Sequence, residues 1–347
     1  MPKRLLMIST DRAIFQEGSA VRARQVEYAR EWDEVHIIVF AGREHREQSI
    51  APNCFVYPTR SVFKIMYPFG AIRIGGFIIG RRGITDITCQ DSSLTAMAGV
   101  ALKKERARIG QNVSLEIQVH EDLGSPNFAY SIKNRIRAWM ARSYLPQADS
   151  IRVVSARIKG FLTERLKIDG SKIAVKPIKV DTDAIKSASV IPGADLRAKY
   201  PRFSKIVLMA GRLEPEKNFG LAVRAWPAVV AAQPRAGLII VGHGSEETRL
   251  RSLARSLGVE QSVAFEPWAD KPTLISYYKT ADLFLNTSLF EGYGMALVEA
   301  RAAGCPIVST DVGIAPDIGA TIVGWTAPEV AQGLIAALRG TAPSSRP

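Results

Sequence analysis

The stretch Thr287–Thr310 reads TSLFEGYGMALVEARAAGCPIVST and predicts a loop, a helix and a strand, in that order. Gly292 and Gly294 leave the end of the loop free of side chains, and Met295–Ala303 consists of strong helix formers. Pro306–Ser309 is short and apolar, which is typical of a buried strand. A glycine-lined loop that opens onto a helix brings free N–H groups to the positive end of the helix dipole. The stretch therefore predicts an anion-binding turn.

Two carboxylates, Glu291 and Glu299, lie on either side of this turn. Eight residues of helix would separate them by about 12 Å, which exceeds the roughly 5–9.5 Å between the paired acids of glycoside hydrolases. Two hydroxyl-binding carboxylates around a phosphate site fit this spacing better. Taken without other motifs, the pair also fits a surface glutamate and an ordinary first-turn helix glutamate.

Three motifs occur together and in a fixed order. The sequence FEGYGMALVEA follows MAGRLEPEKNF at Met209–Phe219 and a glycine loop at Gly242–Ser245, within VGHGSE. Together they resemble the family-4 retaining glycosyltransferases, whose signature is Glu-x7-Glu, over Lys205 to about Gly324. The resemblance implies the GT-B fold, in which two Rossmann-like, doubly wound parallel-sheet domains face each other across a cleft. The first half of the chain resembles the family more loosely.

The resemblance implies roles for individual side chains. Arg212 and Lys217 would hold the diphosphate of a nucleotide sugar, Glu291 the hydroxyls of the donor sugar, and Glu299 the ribose. His120, which follows a predicted strand, would touch the donor sugar or help with a proton, although a histidine packed in a loop is an equal alternative. The remaining donor-binding positions implied by the family are Gly18, Gly242, Trp268, Gly292, Tyr293, Gly294, Met295, Ala296 and Leu297.

The chemistry of these residues suits a departing diphosphate, because transfer needs fixed positive charge where negative charge develops. The Arg212 guanidinium forks onto two phosphate oxygens, and the Lys217 ammonium acts as a compact charge. Such a site needs neither a metal ion nor a cofactor, and the nucleotide sugar (UDP-, GDP- or ADP-linked) is a substrate. The alternative for both cations is a salt bridge to Glu214 or Glu216.

Length and composition describe a globular protein with two domains. The chain has 347 residues, of which 47% are apolar and 23% charged, and no apolar run reaches the roughly 18–20 residues of a membrane span. We predict domains at 1–182 and 183–347, joined by a linker at Asp181–Tyr200. Strands alternate with helices throughout, which predicts doubly wound parallel sheets with ligands beyond the strand ends. In the second domain a helix over Asn218–Gln233 is expected to be interrupted at Pro227.

Cysteine usage favours a reducing cytoplasm. Cys54, Cys89 and Cys305 are odd in number, far apart and surrounded by apolar residues, so we expect core thiols and no metal site.

After Thr326 the chain provides one helix and a small-residue tail, Thr341–Pro347. Many members of the resembling family have a longer C-terminal segment that crosses back to the first domain, so either the chain is shortened or this crossing is handled differently.

The positive charge of +13 is concentrated in the first half of the chain. Residues 1–180 contain 29 Lys and Arg against 17 Asp and Glu, which indicates an anionic partner or a well-solvated surface.

Two segments depart from the strand–helix alternation, Phe69–Arg82 and Ile132–Tyr144. The second has Ile132, Ile136, Trp139 and Met140 at helical spacing, as in helices that lie on anionic lipid. Its basic residues Lys133, Arg135, Arg137 and Arg142 lie largely elsewhere on the helical wheel. The alternative is a helix packed on its own sheet. No nucleic-acid-binding signature is present.

The resemblance therefore implies a retaining, metal-independent hexosyltransferase, which we expect to be cytoplasmic or peripheral on the inner face of the membrane. It would transfer sugar from a nucleotide donor to an acceptor glycan or lipid-linked saccharide, in the synthesis of cell-surface glycans or glycolipids. Two alternatives remain. A sugar-nucleotide epimerase of the same fold would convert donor without acceptor. A non-enzymatic nucleotide-binding or nucleic-acid-binding protein would give no product, and its binding to nucleic acid would weaken with salt.

Overall fold

The structure is a computed structural model that describes residues 2–340. The predicted tail 341–347 lies outside the described residues. The described residues form two compact units, one of residues 2–124 and 128–176 and the other of residues 125–127 and 177–340. Each unit is built on one sheet.

The sheet of the first unit has eight strands, in the order β3-β4-β2-β1-β5-β6-β7-β8. All neighbours are parallel except the edge pair β3 and β4. The central strands β1 and β2 are mainly apolar and buried along nearly their whole length, as strands covered on both faces require. The strands are β1 (Arg4–Ser9), β2 (Glu34–Val39), β3 (Gln48–Ala51), β4 (Cys54–Pro58), β5 (Asp86–Cys89), β6 (Ser114–Val119), β7 (Ser150–Val153) and β8 (Ile173–Val175).

The helices of the first unit are α1 (Ala20–Ala29), α2 (Tyr67–Arg82), α3 (Leu94–Arg108), α4 (Ile132–Tyr144) and α5 (Ala156–Glu164). Of the two segments that depart from the strand–helix alternation, Phe69–Arg82 lies in helix α2 and Ile132–Tyr144 forms helix α4. Helix α2 has distinct signals at its two ends. It begins with a proline in its first turn, which is the favoured place for that residue, and ends at Gly83 in the left-handed conformation (φ +60°). Gly75 lets α2 approach its neighbours, because a Cβ there would lie 2.7 Å from the Leu102 side chain of α3.

The sheet of the second unit is entirely parallel, in the order β11-β10-β9-β12-β13-β14. Its strands are β9 (Lys205–Ala210), β10 (Ala236–Val241), β11 (Val263–Glu266), β12 (Leu283–Asn286), β13 (Ile307–Thr310) and β14 (Thr321–Val323). The helices are α6 (Thr182–Ser187), α7 (Leu196–Lys199), α8 (Phe219–Ala232), α9 (Glu247–Ser256), α10 (Lys271–Thr280), α11 (Met295–Ala302) and α12 (Ala327–Leu338). Two apolar clusters cover the two faces of this sheet.

Two local predictions were wrong. The expected linker Asp181–Tyr200 contains α6 and α7, whose apolar residues Ile185 and Leu196 are buried against the second unit. Their short lengths hid the helical period. Helix α8 also continues through Pro227, because buried apolar neighbours on both sides of the proline hold the helix where its local hydrogen bond is lost.

Each sheet has a point at which the strand order reverses, between β1 and β5 in the first unit and between β9 and β12 in the second. Loops that follow such neighbouring strands diverge to opposite faces and leave a crevice beyond the carboxyl ends, where open α/β sheets bind ligands. The predicted α/β class with two doubly wound parallel sheets is confirmed. The motif loops of the second half begin at β9, β10 and β12, on both sides of its reversal point.

Candidate active site

The reversal point of the second sheet joins two of the predicted site residues. Lys217 follows β9 and Glu291 follows β12, and the Lys217 Nζ lies 2.5 Å from the Glu291 Oε1. Both side chains are mostly buried. The Ser288 hydroxyl lies 2.8 Å from the same oxygen. Because the pair is desolvated, its two charges act strongly on any ligand beside it.

The backbone holds this pair in place. The Leu289 N–H donates to the carbonyl of Glu216 (2.8 Å), and the Thr287 hydroxyl donates to the carbonyl of Asn218 (3.0 Å). Asn218 adopts the left-handed conformation (φ +50°) directly before α8. The loop after β9 is therefore tied to the loop after β12, and the charged groups do not depend on their own salt bridge for position.

Arg212 and the acidic residues beside it have separate partners. The Nη2 of Arg212 lies 3.2 Å from Glu216 Oε1, at the surface. Glu214 instead accepts hydrogen bonds from the Ser245 hydroxyl (2.7 Å) and the Ser245 N–H (3.1 Å), and these bonds lower the pKa of its carboxyl. The alternative in which both cations pair with Glu214 or Glu216 therefore holds for Arg212 alone, since Lys217 pairs with Glu291.

The glycine loop after β10 fits against the loop after β9 with no room for a side chain. A Cβ at Gly242 would lie 2.0 Å from the carbonyl oxygen of Gly211, and one at Gly244 would lie 2.3 Å from that of Leu213. Gly242 also has a positive φ of +138°. The third predicted motif is thus packed directly on the Arg212–Lys217 loop.

Helix α11 begins beside Glu291, as the first motif predicted. Gly294 precedes it with φ +95°, and no side chain caps its first turn. The N–H groups of Met295 and Ala296 therefore point out of the helix start, where they favour an anion. Gly313 supports this turn closely, because a Cβ there would lie 2.4 Å from the Tyr293 carbonyl oxygen.

Glu299 lies one helical turn further along α11, beside the buried Tyr278. Burial raises the pKa of Glu299, and the Lys271 ammonium partly opposes this increase. Leu297 is buried and packs inside the second unit. Trp268 is largely exposed after β11, and Gly292 and Tyr293 lie in the turn before α11. In the second unit the structure thus brings Lys217 into contact with Glu291, while Glu299 and Trp268 have separate surroundings.

The predicted residues of the first unit follow the ends of β1 and β6. Gly18 has φ +75° and lies in open space just before α1. His120 follows β6, and its Nε2 lies 3.1 Å from Oε1 of Gln118. Burial is the main factor that lowers the pKa of His120, followed by the Arg152 guanidinium, while Asp91 opposes them.

A hydrogen-bonded chain behind His120 determines which nitrogen carries its proton. The Thr88 hydroxyl donates to the Glu116 carboxylate (2.9 Å), and the Gln118 amide NH2 donates to the Thr88 oxygen (3.0 Å). The carboxylate only accepts, so the direction of the chain follows from it and the Gln118 carbonyl oxygen must face the imidazole. The neutral ring is therefore protonated at Nε2, which leaves Nδ1 as an acceptor.

Sequence reasoning missed Ser288 and Gln118. Ser288 belongs to the polar run Asn286-Thr287-Ser288, directly after an apolar strand, and this position at a strand end was the available signal. Gln118 is buried within β6 on the same face as His120, two residues along, so its only signal was a polar residue in a buried strand. Among residues 2–340, no three His, Cys, Asp or Glu side chains are placed to hold a metal ion.

Comparison with known proteins gives partial sequence matches and a match of the whole fold. Residues 195–338 match the model of the family "Glycosyl transferases group 1". The D-inositol 3-phosphate glycosyltransferase of Acidothermus cellulolyticus is 30% identical over half of this chain and 42% of its own length. The phosphatidyl-myo-inositol mannosyltransferase of Mycobacterium leprae is 34% identical over 41% of this chain and 36% of its own length. The chain thus spans less than half of these relatives.

Solved structures match nearly the whole chain at low sequence identity. The sucrose-phosphate synthase of Thermosynechococcus elongatus superposes with a TM-score of 0.74 at 18% identity, covering 97% of this chain and 89% of its own. Anabaena HepE, solved with UDP and glucose, superposes with a TM-score of 0.69 at 16% identity, covering 99% and 92%. The chain therefore has the GT-B fold of the glycosyltransferases, and its residues 195–338 match group 1 of those enzymes.

Proposed function

We propose that the protein is a retaining glycosyltransferase that moves a hexose from a UDP-, GDP- or ADP-linked donor to an acceptor glycan or lipid-linked saccharide. The observation that carries the proposal is the contact between Lys217 and Glu291 at the reversal point of the second sheet, beside the uncapped start of α11. Two opposite charges and free N–H groups at one crevice suit a ligand with both hydroxyls and a diphosphate. The match of residues 195–338 to group 1 glycosyl transferases supports this assignment.

In the proposed reaction Lys217, Arg212 and the start of α11 bind the diphosphate. Glu291 accepts hydrogen bonds from the sugar hydroxyls, and Glu299 binds the ribose. As the bond between the sugar and the phosphate breaks, negative charge grows on the phosphate oxygens, and fixed positive groups stabilise it. The acceptor attacks from the face that the diphosphate leaves, so the configuration is retained. The leaving phosphate takes the acceptor's proton, so the reaction requires neither a strong protein base nor a metal ion.

The proposal is tested by adding UDP-, GDP- and ADP-sugars to the protein and measuring thermal unfolding. The matching donor should raise the melting temperature, because a ligand at 100 times its Kd adds about 2.7 kcal/mol to stability. NMR analysis of the products then separates the reactions. A transferase needs an acceptor and gives a product with the donor's anomeric configuration, whereas an epimerase converts the donor alone. No thermal response and no product with any donor would refute the proposal.

His120 is proposed to accept a hydrogen bond from a sugar or acceptor hydroxyl through Nδ1. The neutral imidazole is required for this role, and the folded pKa of His120 is lower than the ordinary value of about 6.5. Its neutral form therefore persists as pH falls below about 6.5, and the acid limb of kcat/KM should lie below that pH. By the same linkage, the group's contribution to stability is present above about pH 6.5 and is lost on acidification.

Replacing Gln118 with leucine should allow the neutral imidazole of His120 to populate both tautomers. Both protonation states of His120 donate from Nε2, so the loss of the Gln118 oxygen should change the ring's tautomer more than its pKa. We expect kcat to fall about 10-fold, equivalent to about 1.4 kcal/mol, with KM nearly unchanged. ¹⁵N NMR of the imidazole should show a mixture of tautomers instead of one protonated at Nε2. Gln111→Leu, in the turn after α3, is the control. An unchanged tautomer in the Gln118 variant would contradict this role.

We also propose that the protein binds the inner face of the membrane through α4 and acts in cell-surface glycan or glycolipid synthesis. Ile132, Ile136 and Trp139 lie exposed at helical spacing on α4, so this apolar face does not pack on the sheet. Met140, predicted on the same apolar face, is instead buried, and Arg137 is paired with Glu121. Among residues 2–340, each helix is too short or too polar to span a bilayer.

A further inference from the structure

We infer that the segment Arg60–Phe69 is a second lipid-contacting element, which acts with α4 to dock the first unit on an anionic bilayer. The inference deepens the proposed membrane association and concerns residues outside α4. Five apolar side chains of the segment Arg60–Phe69 are exposed: Val62, Phe63, Ile65, Met66 and Phe69. Ile65 has 76% of its surface exposed and Phe63 has 68%. Single exposed apolar residues are ordinary, but five within eight residues form a patch that indicates a partner.

The chain is anchored in the core at Thr59, just before the segment, and again at Tyr67 within it, so the exposure of the residues between them is part of the fold. On one side the buried Thr59 hydroxyl is hydrogen-bonded to both the N–H (3.1 Å) and the carbonyl (3.0 Å) of Ala41. On the other side the buried Tyr67 packs on Phe40 and accepts a hydrogen bond from Arg12 (2.9 Å). The residues between these anchors are held out from the unit on a short closed turn.

The topology places this segment and the exposed face of α4 at the same edge of the unit. The crossovers that contain α2, α3 and α4 all advance in one direction along the sheet, from β4 to β5, β6 and β7. Right-handed crossovers therefore put the three helices on one face, and α3 packs between α2 and α4. Each helix begins beyond the carboxyl ends of the parallel strands. The starts of α2 and α4 thus lie at the same edge of the sheet with α3 between them, about 16–20 Å apart at two ordinary helix spacings.

The charge around both elements matches an anionic surface. From Gln48 to Thr85 the chain has five basic residues and no acidic one, and Arg60, Lys64 and Arg73 are exposed. On α4 the exposed basic residues are Lys133, Arg135 and Arg142. Basic groups that surround exposed apolar tips are typical of surfaces that bind anionic lipid. A symmetric contact with a second copy would instead place these positive charges opposite one another.

The test is co-sedimentation of the full chain with vesicles of mixed phosphatidylglycerol and phosphatidylcholine, and with phosphatidylcholine alone. The wild type should bind the anionic vesicles, and this binding should weaken as the salt concentration rises. The double variant Phe63→Ser/Ile65→Ser should lower the partition coefficient about 10-fold or more, as should Ile132→Ser/Trp139→Ser in α4. Ile109→Ser is the matched control. Ile109 is 67% exposed but follows α3, at the opposite edge of the sheet, so its replacement should leave binding unchanged.

Each alternative outcome is distinct. If Phe63→Ser/Ile65→Ser binds like the wild type while the α4 variant fails, the segment does not contact lipid. Equal binding of all variants, or equal binding to neutral vesicles, would overturn the docking surface. A dimer in lipid-free sedimentation that this double variant dissociates would assign the patch to self-association. All variants should keep the wild-type melting temperature and its response to the donor, so loss of vesicle binding is separable from failure of the proposed transferase function.

Discussion

Replacing Lys217 with alanine is expected to lower kcat by about 10²–10³, or roughly 3–4 kcal/mol of transition-state stabilisation. The ammonium is mostly buried against Glu291, so its field is weakly screened at the position proposed for the departing diphosphate. Its effect grows as charge develops on the phosphate, so kcat should fall more than KM rises. Release of nucleoside diphosphate, measured with and without acceptor, reports the change.

Lys279→Ala is the matched control for this experiment. Lys279 lies on α10 in the same unit and bonds only the carbonyl of Lys186 among the contacts of the described residues, so turnover should stay at the wild-type value. Thermal unfolding of both variants separates catalysis from stability. Wild-type turnover in a folded Lys217→Ala protein would refute the placement of the diphosphate beside this residue.

Replacing Gly242 with alanine should destabilise the protein by about 3 kcal/mol or more and abolish the response to donor. The new Cβ would lie 2.0 Å from the Gly211 carbonyl oxygen, and the backbone at Gly242 has φ +138°. The atom that the new Cβ would meet is a backbone oxygen, which cannot rotate away as a flexible side chain could. The positive φ adds backbone strain, so the loops after β9 and β10 must separate. A calorimetric melt should show a decrease of about 6–12 °C.

Gly193→Ala tests whether the effect of Gly242→Ala comes from the close contact. Gly193 lies in the same unit and has no positive φ, and a Cβ added there would meet no heavy atom within 4 Å. Its replacement should change stability by less than about 0.5 kcal/mol. If the two variants melted at the same temperature, the packing of the glycine loop would not be a determinant of stability.

The fold and the motif positions could be predicted from the sequence because both depend on local pattern. Alternating apolar strands and helices specify parallel sheets, and parallel strands bring their following loops to one edge. This places the loops that contain Arg212, Gly242 and Glu291 near one another. The salt bridge between Lys217 and Glu291 could not be predicted, because it depends on strand order and on two loops that are 74 residues apart.

Other features lay outside local pattern for similar reasons. The exposure of the apolar residues of Arg60–Phe69 could not be predicted, because it depends on the anchors at Thr59 and Tyr67. The Gln118 chain behind His120 joins three strands, β5, β6 and β7, through side chains that have no shared spacing. Helix α2 was obscured by its four glycines, one of which is needed where it packs on Leu102.

Under the proposed membrane association, the bond between Arg137 and Glu121 has a practical consequence for variants meant to be handled without detergent. Arg137 lies on α4 between Ile136 and Trp139, but its guanidinium holds the residue directly after His120. A variant for detergent-free work should therefore exchange Ile132, Ile136 and Trp139 for polar residues and leave Arg137 in place. Replacing every basic residue of α4 to reduce lipid binding would also remove the bond that holds the loop after His120. Such a variant would be easier to purify but should have a lower turnover rate.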